Sequence, residues 1–450
     1  MWFNLASKIS SVKWSDEDQS QIQEELRGLE PKLQQQFFEY CKKWKLAPWA
    51  YVQLLNYNFL DILTEDVKEQ FKSAHSKVKD QNTSRNNVAK NVLKAFNEND
   101  IQAAVLKGNY FISSVYNEVG YKRMNDFDIL IHKNDWDRIQ DIYLEKNFIP
   151  LGFGWSGEKE KPAKFSHVGM AFISPDYHCI MGSQWGLKSA TTKFKTDIDS
   201  IWRDVVEFEF EGVKVNALSP EHNLLHLVLH MGIYKCGIRD CMDVYNVVIS
   251  NEIDWDKLYR ILEKSNALDK AYYTFSMSNL CVNVIPDEFI NKLKERSKGY
   301  IKRRTVKRLK VHEQSGDFQN SYIDYFQDIE KDVIYFNLFP HFHKKAKYLF
   351  KIVGKIYFPK SKVSLKLDDH FHQPTFWHKL KGSIKAPFHC FALIAQEIGW
   401  KFTFLLFMKL FIDLIVSIKN YVIKKESYFD YLKKKGINPK EIVQAVEGIQ

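Results

Sequence analysis

With 450 residues, 45% apolar and 27% charged, the chain has a globular balance and the length for two to four structural units. Collagen, coiled-coil and disulfide-knot architectures are thereby excluded. The net charge of +10 is unevenly placed, with 31 Lys+Arg against 15 Asp+Glu over residues 291–450 and 34 against 40 before them.

The basic last third is where a polyanion, nucleic acid or anionic membrane, would land, unless its lysines only solvate a helical surface. Cys41, Cys179, Cys236, Cys241, Cys281 and Cys390 show no C-x-x-C spacing, which points away from a zinc site or disulfide framework and toward a reducing cytoplasm. No apolar run follows Lys8 and Lys13, so no secretory signal is predicted.

Residues 1 to about 85 carry helical spacing, as in Phe37, Phe38, Tyr40 and Cys41, then Tyr51, Leu54, Leu55 and Phe59. The polar run 80–87 reads either as a linker or as the exposed part of one long helix, because Val88, Val92, Leu93 and Phe96 continue a stripe; a soft boundary is set there. Residues 101–106 read as a buried strand turning through Lys107-Gly108 into a helical segment over 110–117. A second strand, 127–131, precedes Asp135 as an expected N-cap and a helix with Trp136, Ile139, Ile142 and Tyr143 on one face. Residues 170–174 and 178–185 flank Pro175-Asp176-Tyr177 as a hairpin, and 205–210 and 213–215 flank Glu211-Gly212 as another. Ser219-Pro220-Glu221 starts a run of helices. Strand, helix, strand, helix and hairpins make a modest α/β unit.

Further along, Lys344, Lys347, Lys351 and Lys355 interleave with Leu349, Phe350, Ile352, Val353 and Ile356. This basic amphipathic helix suits lipid headgroups, phosphodiester backbones or packing on its own domain. Residues 402–418 are the most apolar stretch but contain Lys409 and Asp413. About 12 apolar residues at roughly −0.3 to −0.6 kcal/mol each nearly cancel two charges at about +2.5 to +3.5, so no transmembrane helix is predicted. Glu397, Lys401, Lys409, Asp413, Ser417, Asn420 and Lys424 share one stripe, which fits either a core helix or one lying in a membrane surface.

The chemistry concentrates in Arg123-Met124-Asn125-Asp126-Phe127-Asp128-Ile129-Leu130-Ile131. Residues two apart on a strand share a side, so Asp126 and Asp128 present two carboxylates together while Phe127 and Ile129 enter the core. Such a pair is costly without a cation, and Mg2+ with substrate phosphates is the natural occupant. The Gly108 turn would let a triphosphate approach the backbone, with Lys107 and Arg123 offsetting its charge. His222, His226 and His230 stand four apart on one helical face; zinc ligation is weighed against packed structural histidines, and the second is preferred.

Val105-Leu106-Lys107-Gly108, the 123–130 segment, Asn147-Phe148, and Leu218-Ser219-Pro220-Glu221-His222-Asn223-Leu224-Leu225-His226-Leu227 together resemble the DNA polymerase β-like nucleotidyltransferase superfamily, in particular the bacterial uncharacterised nucleotidyltransferases. His230, Arg239, Asp243 and Asp254-Trp255 continue the likeness, which covers roughly residues 35–290; Phe358-Pro359 is similar to a motif of members found near surface-polysaccharide genes. The resemblance implies an α+β fold, a small mixed-sheet nucleotidyltransferase core between helical segments: 1–87 helical, 88–216 core, 217–290 helical packing on the core, and 291–450 a basic helical region. It implies Mg2+-dependent transfer of a nucleoside monophosphate from an NTP to an unidentified acceptor hydroxyl, with Asp126 and Asp128 as catalytic metal ligands. Lys107, Gly108, Arg123, Gln184, His230 and Asp243 are the implied substrate-side residues.

Relatives place an acid and a histidine just before a tryptophan on a later strand, where this chain has Met181-Gly182-Ser183-Gln184-Trp185. Gly182 stands at the acidic position and Gln184 at the histidine position; Asp176, Asp197 and Asp199 are the substitutes to examine. A rival reading is an accessory protein that keeps the fold without the third acid, held peripherally at the inner face of the membrane through 344–425 or bound to a polyanion. Nucleic acid is a weaker partner, because the basic excess lies far along the chain from the catalytic strand.

Overall fold

The computed structural model describes residues 2–151, 159–161, 166–188, 192–231, 237–299, 301–303, 305–306, 309–310, 329, 332–333, 335–336, 339, 341–358, 375–424 and 426–449. Cys236, Pro359 and part of the basic region, 360–374, lie outside the described residues. The chain forms two compact units, one of 1–149, 167–187 and 195–318, the other of 150–166, 188–194 and 319–450.

The first unit begins with helices α1 (Trp2–Ile9), α2 (Asp16–Arg27), α3 (Pro31–Lys43), α4 (Ala47–Asn56) and the long α5 (Glu65–Glu98). The boundary expected near residue 87 falls inside α5, and the polar run 80–87 is neither a linker nor wholly exposed. Asn82, Arg85 and Asn86 are buried on it, because their side chains hold other parts of the chain.

A mixed sheet follows, built from β1 (Ala103–Val105), β2 (Phe127–Ile131), β3 (Ile149–Pro150), β4 (Phe172–Ile173), β5 (Ile180–Gln184), β6 (Val206–Phe210) and β7 (Val213–Ala217). Their order across the sheet is β3-β4-β5-β2-β1-β7-β6. β2 runs antiparallel to β1 and parallel to β5, and β1 runs parallel to β7. Both expected hairpins form, β4–β5 and β6–β7. The second turns through Glu211 (φ 49°) and Gly212 (φ 80°), the left-handed pair that matches strand twist.

Alternation along β2 sends Phe127, Ile129 and Ile131 into a core with Trp136, Ile139, Tyr143, Phe172 and Met181. Asp128 and Leu130 take the opposite face. All five β2 residues are buried, so the sheet is covered on both sides at this central strand, while the edge strand β6 is largely exposed. Asp135 does stand ahead of α7 (Trp136–Glu145) but makes no capping bond; its carboxylate accepts from Arg138 at 2.9 Å instead. Ser219 caps α9 (Pro220–His230) with Pro220 in its first turn. The short helices α6 (Lys107–Phe111) and α8 (Ile198–Arg203) lie among the strands, and α10 (Ile238–Ser250), α11 (Trp255–Lys264), α12 (Leu268–Cys281) and α13 (Asp287–Arg296) follow α9. An α+β core flanked by helices is thus present, as the resemblance implies.

The second unit contains α14 (Phe342–Tyr357), α15 (Phe376–Ile398), α16 (Trp400–Val422), α17 (Tyr428–Lys434) and α18 (Pro439–Ile449). Gly399, at φ 88°, makes the tight reversal from α15 to α16 that a side chain would strain. The three longest, α14, α15 and α16, pack on one another.

Candidate active site

β1 delivers the chain into a reversal at Lys107, whose φ of 49° is left-handed. The strain expected at Gly108 therefore sits on the lysine, a conformation costing a non-glycine residue roughly 1–2 kcal/mol. Gly108 answers a different demand. A Cβ there would lie 2.5 Å from Met124 Sδ and Cε, so the glycine admits the methionine. The short helix Lys107–Phe111 continues into a wider π-helical turn, Ile112–Tyr116, that ends at left-handed Asn117.

The segment between that turn and β2 is held chiefly by α5. Asn82 Nδ2 donates to Val119 O at 2.6 Å and Lys122 O at 2.7 Å, and Arg85 donates to Met124 O at 2.6 Å and Asn82 Oδ1 at 2.6 Å. Burial brings the Arg85 guanidinium down to about 10, with the nearby Asp126 acting in the opposite sense. Asn109 Nδ2 donates to Asp126 O at 3.0 Å. Neither Arg85 nor Asn82 is marked as functional by the sequence; only their burial on an otherwise polar helical run reveals the role.

Asp126 lies just before β2 and is exposed, whereas Asp128 is buried within it. Lys107 Nζ lies 2.8 Å from Asp128 Oδ2. The neighbouring Asp128 charge pushes the Asp126 carboxyl up to about 6 despite Lys107 and Arg85. Burial by itself would lower Lys107, but Asp128 and Asp126 raise it on balance. The two acids and Lys107 are therefore one electrostatic group.

Gly182 on β5 is paired in register with Asp128, and Gln184 with Leu130. A Cβ at Gly182 would come 2.3 Å from Asp128 Oδ1. Position 182 thus faces Asp128 directly, and this chain has no side chain there. Two of the substitutes are engaged elsewhere, and Asp199 is exposed. Asp176 accepts from Ser174 Oγ and His178 N, closing the β4–β5 turn, and Asp197 caps the helix Ile198–Arg203 through Ser200 N at 3.1 Å. Among the described residues no three His, Cys, Asp or Glu side chains are grouped to hold a metal. Two carboxylates still suit Mg2+, which keeps several waters and takes its remaining ligands from phosphates.

The other expected residues divide. Asp243, buried on α10, is bonded to Tyr116 OH and Lys122 Nζ. It does not line an open cleft; it fixes the segment leading into Arg123. Burial lowers Lys122 despite that carboxylate, and raises Tyr116 well above its usual range. Arg123 is half-buried, and Lys45 feels it together with Arg239, both of which add to burial in lowering Lys45. His230 is exposed at the end of α9, while His222 and His226 are buried; His222 Nδ1 lies 3.0 Å from Ser219 Oγ. A cavity of about 180 Å³ is lined by Asp204, His222, Lys257, Arg260 and Lys264 but by none of Lys107, Asp126 or Asp128.

Residues 30–283 match the uncharacterised nucleotidyltransferase family, more than half of the chain. The chain belongs to that family. No curated protein matches it. As a nucleotidyltransferase-family protein it carries the α+β core, in which Asp128 on β2 faces Gly182 on β5.

Proposed function

We propose that this protein moves a nucleoside monophosphate from a Mg2+-bound NTP to an acceptor hydroxyl. The observation that carries the reading is the Asp126–Asp128 pair at the mouth of β2, with Lys107 2.8 Å from Asp128. Asp126 and Asp128 would hold the ion, which when bound neutralises triphosphate charge and polarises the phosphorus under attack. With the carboxylates so engaged, Lys107 is the adjacent cation for phosphate oxygens, and Arg123 supplies a second. Gly108 stays small because Met124 needs the space. Gln184, on the Asp128 face of the sheet, is the polar side chain offered to sugar or acceptor, and exposed His230 is a candidate for the outer part of the substrate. Asp243 acts through Tyr116 and Lys122 on the segment that carries Arg123. A reducing cytoplasm, rich in NTP and Mg2+, is the compartment that fits.

Gly182 favours a second reading, in which NTP is bound and not transferred, because among the described residues no third acid is grouped with the pair to help hold a second ion and activate a hydroxyl. Incubation with each of the four triphosphates, Mg2+ and a cell extract as acceptor source, with pyrophosphate release as readout, separates the two. Release by the native chain that disappears in Asp126→Ala/Asp128→Ala supports transfer. Mg2+-dependent binding without release, with release gained by Gly182→Glu, supports the second reading. Failure to bind any triphosphate overturns both.

A further inference from the structure

α16 turns its apolar side outward. Trp400, Phe404, Leu405, Met408, Phe411, Ile412, Ile415, Val416 and Val422 are each at least 42% exposed, at spacings of three and four that form one face along the whole helix. The side turned inward holds Leu410 together with Thr403 and Ser417, whose hydroxyls bond back to Gly399 O and Leu414 O. This is the reverse of a core helix, so of the two sequence readings of 402–418 the core reading is overturned. The pattern extends to the helices packed against it. α15 exposes Phe376, Trp377, Ile384 and Phe388, and α14 exposes Phe350 and Tyr357.

The charge on these helices has one sign. Residues 342–358, 376–398 and 400–424 contain twelve lysines and only two acids, Glu397 and Asp413, and Asp413 is paired with Lys409. Lys347, Lys351, Lys381, Lys385, Lys401 and Lys419 are exposed on the same three helices as the apolar rows. Among the described residues no helix is long and apolar enough to cross a membrane. Apolar rows with lysines beside them and with Trp and Tyr among them suit a helix lying in the headgroup layer.

We propose that α14, α15 and α16 dock this protein on an anionic lipid bilayer, lying in its surface. Charge complementarity selects that occupant. A second copy would bring two lysine-rich faces together, and a nucleic acid would answer the lysines but leave the aliphatic and aromatic rows in water. The proposal stands apart from the nucleotidyl reading and survives its failure.

The test is flotation of the full chain with phosphatidylcholine vesicles, with and without phosphatidylglycerol. Binding is expected to require phosphatidylglycerol, to weaken about fivefold for each of Lys381→Ala and Lys385→Ala, and to vanish in Phe404→Ser/Phe411→Ser/Ile415→Ser. These residues are exposed, so the fold is retained, which a thermal melt checks; brominated lipid should quench part of the tryptophan emission of the native chain. Equal flotation on neutral vesicles, undiminished flotation of the triple variant, or absence of flotation overturns the proposal. So does a concentration-dependent dimer, or an RNA gel shift, that the triple variant abolishes while flotation persists.

Discussion

The β2 neighbourhood of the first unit and the α14–α16 helices of the second treat polarity in opposite ways. Around β2, charged and amide groups are drawn inside and given partners, with Arg85 and Asn82 on backbone oxygens and Lys122 on Asp243, while Phe127, Ile129 and Ile131 are fully buried. In α16, Thr403, Leu410 and Ser417 face inward and Phe404, Phe411 and Ile415 face outward. The contrast teaches that apolar residues serve here for two purposes. In one region they are the core that fixes a polar site, and in the other they are the outer surface.

The comparison breaks first at the core. Ile129→Ala should cost about 2–5 kcal/mol, the range for emptying a packed aliphatic site, read as lost hydrogen-exchange protection of the β1–β2 ladder. A cost near zero would mean that the sheet does not depend on that packing. Arg85→Met, which leaves Met124 O without its donor and Asn82 Oδ1 with only the 3.4 Å bond from Met124 N, should cost about 1–3 kcal/mol by the same measurement. It should also weaken Mg2+-dependent NTP binding, because the Arg123–Asp126 segment loses its anchor.

A third effect depends on pH. The Asp126 carboxyl stands at about 6 in the folded chain against an ordinary 3.8, so between those values the folded state holds the extra proton. Stability falls as pH rises from about 4 through about 6 and then levels off. Asp126→Asn should therefore raise the melting temperature at pH 7, with no gain at pH 3.5, and saturating Mg2+ should shrink the difference. An unchanged melting temperature at pH 7 would show that the two carboxylates do not burden each other. Smallest of all, Phe411→Ser should alter stability by no more than about 0.5 kcal/mol; a loss of several would mean that its ring is packed, against the outward face described above.

What the sequence made legible is local. Alternation gave β2 and its two faces; Glu211-Gly212 gave a hairpin; Ser219-Pro220 gave a helix start. Arg85 was illegible as a site residue because its partner, Met124 O, lies 39 residues further on, and a polar run reads the same whether solvated or clamped. Lys107 carries its left-handed turn beside the very glycine that would ordinarily signal it. Gly182 is readable as a missing acid only through the resemblance, and its consequence needs the β2–β5 register that sets it against Asp128. Periodicity defined the faces of α16 but not which of them meets solvent, since that depends on what packs behind it.

The central claim, that Asp126 and Asp128 tether a triphosphate through a divalent ion, is tested most directly by calorimetric titration of NTP with and without Mg2+ into the native chain and into Asp126→Asn/Asp128→Asn. Binding that needs Mg2+ in the native chain and is lost in the folded double variant is the predicted result. Equal affinity in both proteins, or binding indifferent to Mg2+, would contradict it.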